Sequence, residues 1–259
     1  MAIQRRKSWK VLLVGDHCHD VYHYGVCDRL SPEAPVPVLK QHHVETRLGM
    51  SSNVKLNLES FGIKVSHYRN ANPIEKHRII DTRFSQHLVR YDIGEEEPLT
   101  EMNMRLLKKP FADALVISDY NKGFISRNVA AELCEMYKGK PIFVDSKKKD
   151  LSCYNNCYVK INEKEFKSLS KMSLGADFIV TLGSSGALYN NKVYPTDKTE
   201  VFDVCGAGDV FLSTLVYAFL QTRSIEKSIP IANKAASYSV SKMGTYVMTT
   251  GDLKQLGIL

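Results

Sequence analysis

The stretch VFDVCGAGDVFLSTLVYAF, Val201 to Phe219, decides how this chain is read. A β-like run gives way to Gly206-Ala207-Gly208, one carboxylate follows at Asp209, and the residues from there to Leu220 are apolar apart from Ser213 and Thr214. A glycine-rich turn into a helix lets successive backbone N–H groups point into one concavity at the positive end of the helix, which favours an anion. A carboxylate at that mouth can accept the proton of a hydroxyl as it attacks phosphorus, while the amides stabilise charge on the transferred phosphoryl group. The same residues also suit a plain Asp cap behind a glycine turn. The rest of the chain has to choose between the two.

Upstream of this stretch, four short apolar runs read as buried strands: Ala114 to Ser118 (ALVIS) ending at Asp119, Pro141 to Asp145 (PIFVD), Cys157 to Ile161, and Phe178 to Leu182 (FIVTL). Between the first two, Ser126 to Tyr137 has the apolar spacing of an amphipathic helix with Ser126 as its N-cap. Strands alternating with helices imply a parallel sheet covered on both faces, with ligands at the carboxyl ends of its strands. Asp119, Asp145, Asn162, Thr181 and Asp203 fall there. Near the start, Trp9 to Gly15 is a first strand, Ser51 to Phe61 a helix stopped by Gly62, and Ile63 to Tyr68 and Ile79 to Tyr91 further strands. Thr100 to Lys109 reads as a helix. In SPEAPVPVLK, Pro32, Pro35 and Pro37 exclude helix and favour an extended edge or lid strand. The expectation is an α/β protein of one domain, 1–259, with a small β lid drawn from about 21–48 and 79–92.

The 259 residues are 44% hydrophobic and 24% charged, which is an ordinary globular composition large enough for one α/β domain with an appendage. No apolar run approaches the ~20 residues of a membrane span, and the run after the basic start MAIQRRK is too short for a signal peptide. A cytoplasmic protein is expected. Six scattered cysteines without a CxxC pair read as reduced thiols. In Asp16-His17-Cys18-His19-Asp20 a strand would turn the ligand types to alternating faces, so no metal site is expected there. The net charge of +7 agrees with an anionic ligand. Lys147-Lys148-Lys149 has no interleaved aromatics for nucleic acid and reads as a solvated loop.

DVCGAGD resembles the DTxGAGD signature of the ribokinase (PfkB) carbohydrate kinase superfamily. VLLVGDHCHDVYHYG and DRLSPEAPVPVLK are similar to the start of the heptose 7-phosphate kinase domain of the bifunctional heptose kinase and ADP-heptose synthase proteins. ISDYNKG resembles that branch's SDYxKG, VDSKKKD its VDPKxxD, NEKEF its NxxEF, and VTLGSSGALY its VTxGxxG. IANKAASYSVSKMGT resembles the last helix, so the likeness runs through nearly the whole chain. It implies a ribokinase-like fold and transfer of the γ-phosphoryl group of ATP, with Mg2+, to the anomeric hydroxyl of a heptose 7-phosphate. Other acceptors (another sugar, a sugar phosphate or a nucleoside) and an idle sugar-phosphate or nucleotide-binding protein are the alternatives.

By position, the resemblance makes Asp209 the catalytic base and Gly206, Ala207 and Gly208 the anion hole. It places Asn162 and Glu165 at the magnesium ion, and Thr181, Gly183, Gly186 and Lys147 along the nucleotide. Asp20, Asn53, Asp16 and Gly49 fall at the sugar. It also implies a homodimer formed lid to lid, and no nucleic-acid or membrane partner. Three departures stand out. Gly49-Met50 replaces the family's Gly-Gly, the segment between Asn72 and the Ile79 strand is short, and no nucleotidyltransferase domain follows Leu259.

Overall fold

In the computed structural model, residues 8–107 and 110–259 are described; the basic start of the chain lies outside them. In chain order the elements are β1 (Lys10–Gly15), β2 (His17–Val26), β3 (Lys40–Met50), α1 (Ser51–Ser60), β4 (Lys64–Arg69), β5 (Ile74–Asp81) and β6 (Gln86–Ile93). Then come β7 (Ala114–Asp119), α2 (Arg127–Met136), β8 (Ile142–Ser146), β9 (Tyr158–Asn162), α3 (Glu163–Lys167), β10 (Asp177–Thr181), β11 (Ala187–Tyr189) and β12 (Lys192–Tyr194). The chain ends in α4 (Ala207–Thr222), α5 (Ile225–Ser239) and α6 (Thr250–Gln255).

The main sheet has the order β12-β11-β10-β9-β8-β7-β1-β4, parallel from β10 to β4, with β11 and β12 antiparallel at one edge. Its strands are apolar on both faces. Val11, Leu13, Ala114, Val116 and Phe143 pack toward α1, α4 and α5, while Leu12, Val14, Leu115, Ile117 and Val144 pack toward α2. The larger of these side chains each contribute about 1.5–3 kcal/mol on burial. This is why these strands read as continuous hydrophobic runs. Helix α4 is apolar nearly all round because it is enclosed between α1, α5 and the sheet.

A second sheet, β3-β2-β5-β6, is the lid. It is larger than the sequence reading gave it, because residues 74–93 form a hairpin of two full strands and β2 begins at His17, ahead of Val21. Register assigns its faces. Gly49-Cys18-Ile74, Arg47-Asp20-Lys76-Asp92 and Glu45-Tyr22-Arg78-Arg90 are rows on the face toward the main domain. Leu48-His19-Glu75-Ile93, Thr46-Val21-His77-Tyr91 and Val44-His23-Ile79-Val89 are rows on the opposite face. His17 and His19 thus point away from Cys18 and Asp20, as strand alternation requires.

Three local expectations are corrected. SPEAPVPV is a loop with one bridge, Leu30 to Pro37, and not a lid strand, since its prolines cannot donate to a ladder. The segment before Gly206 is also a loop, in which Val201, Phe202 and Val204 are exposed. The expected helix from Thr100 to Lys109 is only a 3-10 turn at Met104–Leu106, closed by extended Leu107; its last two residues lie outside those described. Elsewhere Gly62 (φ 79°) ends α1 as expected, with its N–H donating to Glu59 and that of Ile63 to Leu58.

Met50, where the resemblance leads one to expect glycine, joins β3 to α1 at φ 53° and ψ −132°, a conformation suited to glycine, and yet its side chain is buried. Packing against Cys18 and Ile74 offsets the backbone strain. Met50→Ala should lose the packing and keep the strain, whereas Met50→Gly loses the packing and relieves it. Urea unfolding should therefore find Met50→Gly the more stable of the two by about 1 kcal/mol.

Candidate active site

The carboxyl ends of β8, β9 and β10 and the amino end of α4 enclose a cavity of about 450 Å³. Its walls include Asp145, Lys147, Lys160, Asn162, Thr181 and Asp209. The glycine turn leads into it. Gly206 holds φ 75°, and a Cβ there would lie 2.9 Å from Asn53 Nδ2; a Cβ on Gly208 would lie 2.7 Å from Lys160 Nζ. Glycine lets the backbone approach both groups.

Asp209 is buried at the start of α4. Its Oδ2 accepts from Asn53 Nδ2 at 3.0 Å and its Oδ1 from the Tyr120 hydroxyl at 2.9 Å. Burial pushes its carboxyl up to about 6; Asp145 adds to the rise, while Asn53, Lys160 and Tyr120 oppose it. The carboxylate is ionised at neutral pH and close enough to titration to accept a proton. Asp145 is buried as well, with Lys160 Nζ at 2.7 Å and Lys147 Nζ at 3.4 Å. Burial works against its charge, but the two ammonium groups hold its carboxyl below the usual range. Lys147 also meets Glu165 at 2.7 Å. Burial disfavours its charge too, but Asp145 and Glu165 hold its ammonium well above the ordinary lysine value.

Most of the residues expected from sequence come together. Asp209, Gly206, Ala207, Gly208, Lys147, Asn162, Thr181, Gly183 and Gly186 all line the one cavity. Asn53 reaches it through its bond to Asp209. Glu165 stands behind the wall: its Oε2 accepts from the Asn162 N–H while Asn162 Oδ1 accepts from the Glu165 N–H, a reciprocal cap on α3. Asp20 lies on the inner lid face, paired with Arg78 at 2.6 Å. Gly49 gives that carboxylate room, since a Cβ there would be 2.2 Å from Asp20 Oδ2. Asp16 is fully buried below the cavity and accepts the Tyr120 N–H at 2.6 Å, so it positions Tyr120.

Lys147 and Lys148 are turned inward by Asp145, Glu165 and Asp119, which corrects the reading of this run as a solvated loop; Lys149 is exposed. Asp119, held by Lys148 and Ser146, braces a turn. Sequence reasoning missed Lys160 and Tyr120. A lysine inside an otherwise apolar strand, two residues before Asn162 and so on the same face, was the available signal for the first. The second lay within SDYNKG. The far wall is formed by Asn233, Ala236, Ser237 and Val240, of α5 and its end, within the IANKAASYSVSKMGT stretch.

The site is thus a glycine turn with a buried acid facing a nucleotide-sized cavity on a parallel sheet. A family model described as pfkB family carbohydrate kinase matches residues 130–250. Residues 130–250 thus resemble this family of carbohydrate kinases, and the fold of the whole chain is ribokinase-like. Among curated relatives, the "Bifunctional protein HldE" of Sulfurimonas denitrificans is 30% identical over 98% of this chain and 65% of that protein. That of Campylobacter concisus is 31% identical over 96% of this chain and 65% of its own length. The chain thus spans just under two thirds of these relatives. The fold matches ribokinase of Thermotoga maritima with a TM-score of 0.72 at 16% identity, covering 96% of this chain and 99% of that one. Phosphofructokinase-2 of Escherichia coli in complex with potassium gives 0.74 at 16% identity, with coverages of 96% and 98%. Among the described residues no helix is long and apolar enough to cross a membrane.

The raised Asp209 value has a consequence for stability. A carboxyl whose folded pKa exceeds its unfolded one favours folding when protonated, and that contribution is lost as pH rises through the folded value near 6. Asp209→Asn does not titrate. Its stability relative to the wild type should therefore rise by about 2 kcal/mol between about pH 4 and pH 8. Paired thermal melts across that range check this; a flat difference contradicts it.

Proposed function

We propose that this chain transfers the γ-phosphoryl group of ATP to a sugar phosphate, with the anomeric hydroxyl of a heptose 7-phosphate as the acceptor. The observation that carries the kinase reading is the Asp209 carboxylate, fixed by Asn53 and Tyr120 beside the Gly206 to Gly208 turn and Lys160. Resemblance to the heptose kinase branch, in GDHCHD, SPEAPVPV and SDYNKG, supports the acceptor. ATP enters as the phosphoryl donor, and two structural neighbours described as ribokinases were determined with ADP and with ribose and ATP.

In this reading Asp209 removes the proton from the acceptor hydroxyl as its oxygen attacks the γ-phosphorus; the bond from phosphorus to the bridging oxygen breaks and ADP leaves. The α4 amino end and Lys160 stabilise charge on the transferring group. Asp145 holds Lys160 at the turn, so its role is positioning. Thr181 and the Gly183 to Gly186 turn face α5 across the slot for the base and ribose. The donors at Asn162 and Glu165 are oxygens only, few in number, and already engaged with each other and with Lys147, which fits a hard ion held mostly through water and phosphate. Mg2+ bound there with the nucleotide would supply neutralisation of phosphate charge. Asn162 and Glu165 would hold its waters.

Turnover with heptose, hexose and pentose phosphates tests the reading. Asp209→Asn should lower kcat by on the order of 100-fold or more while nucleotide binding persists. Activity within a few-fold of the wild type would remove Asp209 from the chemistry. Glu165→Gln should raise the Mg2+ concentration for half-maximal rate more than it changes the acceptor KM. An unchanged Mg2+ dependence would leave Glu165 as a helix cap alone.

The outer lid face supports the expected homodimer. Val44, Leu48, Val89, Tyr91 and Ile93 are all exposed there, an apolar area that a second lid would cover. Light scattering at micromolar protein should give twice the 29.2 kDa of one chain, falling to one chain in Val89→Asp. A wild-type monomer would overturn the pairing.

A further inference from the structure

The inner lid face carries Lys76, Arg78 and Arg90, and the loop after β7 brings Lys122 against it. Two of these cations are closed into pairs: Arg78 with Asp20 at 2.6 Å, and Arg90 with Asp92 through bonds of 2.8 and 2.6 Å. The other two share one carboxylate. Lys76 Nζ lies 3.3 Å from Glu95 Oε1, and Lys122 Nζ contacts Glu95 Oε2. Asp92 is 3.9 Å from Lys76, too distant to complete it. The Lys76 side chain is only 12% exposed, so water screens it little. Burial works against the Glu95 charge, yet Lys122 and Lys76 hold its carboxyl below the usual range. The spot between the two ammonium groups favours an anion.

Its position is informative. Lys122 is two residues beyond Tyr120, whose hydroxyl donates to Asp209, and Lys76 is the register partner of Asp20. Between them the floor is apolar, built from Cys18 and Ile74 with Leu99 and Tyr120 against them. Neither lysine lines the cavity that holds Lys147, Asn162 and Thr181. The anion spot therefore lies on the acceptor side of Asp209 and is separate from the nucleotide slot. Glu95 arrives there on a loop that turns at Gly94 (φ 78°), so its carboxylate can leave without moving β6.

From this we infer that Lys76 and Lys122 bind the phosphate the acceptor already carries, and that Glu95 occupies that place until the acceptor arrives. The inference rests on the kinase reading above and names its acceptor class: a sugar phosphorylated at the end remote from the reacting hydroxyl. A phosphate dianion satisfies two ammonium groups better than one carboxylate does, since it brings a further charge and acceptor oxygens in several directions. Glu95 keeps the two cations from facing each other unpaired in the free enzyme and competes with anions that lack a sugar.

The test compares each sugar with its phosphate: ribose with ribose 5-phosphate, fructose with fructose 6-phosphate, and a heptose with its 7-phosphate. Lys76→Met and Lys122→Met should each lower the preference, in kcat/KM, for the phosphorylated member by roughly 10- to 100-fold, mostly through KM, with the KM for ATP within a few-fold of wild type. Glu95→Gln should lower the KM for the phosphorylated member, whereas a merely structural ion pair would leave it unmoved. Equal use of both members by the wild type, or a preference untouched in both lysine variants, overturns the inference while leaving the kinase reading intact. If no acceptor is turned over, the kinase reading fails separately, and calorimetry still decides this one. Ribose 5-phosphate or the heptose 7-phosphate binding to wild type and losing affinity in Lys76→Met supports it; binding no tighter than the free sugars contradicts it.

Discussion

Everything in the site depends on keeping a negative charge at Asp209 inside a protein. An isolated carboxylate there would protonate or draw in water. Two hydrogen bonds prevent this, and they come from different parts of the fold: Asn53 from α1, directly after the lid, and Tyr120 from the loop after β7. The acid is thus the point at which lid, sheet and α4 are fastened together. Asp16, buried under Tyr120, extends the fastening to the end of β1.

The electrostatics then divide the molecule. On one side of Asp209, Asp145 gathers Lys160 and Lys147 toward the glycine turn. On the other, Glu95 gathers Lys76 and Lys122. In both places a carboxylate holds two lysines where phosphate is expected, and the pattern repeats across the acid. A buried ion pair by itself contributes little to stability after desolvation, so arrangements of this kind point to ligand binding more than to fold maintenance.

Much of this was legible in the sequence. The strands β7 to β10 announce themselves as short apolar runs because both of their faces are covered, and GAGD marks its helix because only glycine permits such close approach. The lid was less legible. Its strands carry lysine, arginine and acids on one face and histidine mixed with valine, leucine and isoleucine on the other, and their pairing joins residues far apart in the chain. Proline-rich SPEAPVPV looked like strand since proline excludes helix, although it excludes ladder pairing too. Lys160 was hidden for a different reason: its meaning comes from Asp145 and Gly208, which only folding places beside it.

The register of β2 has a consequence for how such a chain can change over time. Residues of β2 alternate between the face toward the main domain, with Cys18, Asp20 and Tyr22, and the opposite face, with His19, Val21 and His23. Inserting or deleting one residue inside β2 would exchange these sets, sending the charges outward and the outer residues into the cleft. Length varies most freely in connections such as residues 70–73 between β4 and β5, while a bulge such as the one facing Tyr24 and Gly25 can absorb a single residue. The alignment with the Sulfurimonas protein takes 318 positions to match 98% of this chain, so the relatives differ from it by whole inserted segments. The lid's two faces thus direct changes of length to its loops and bulges.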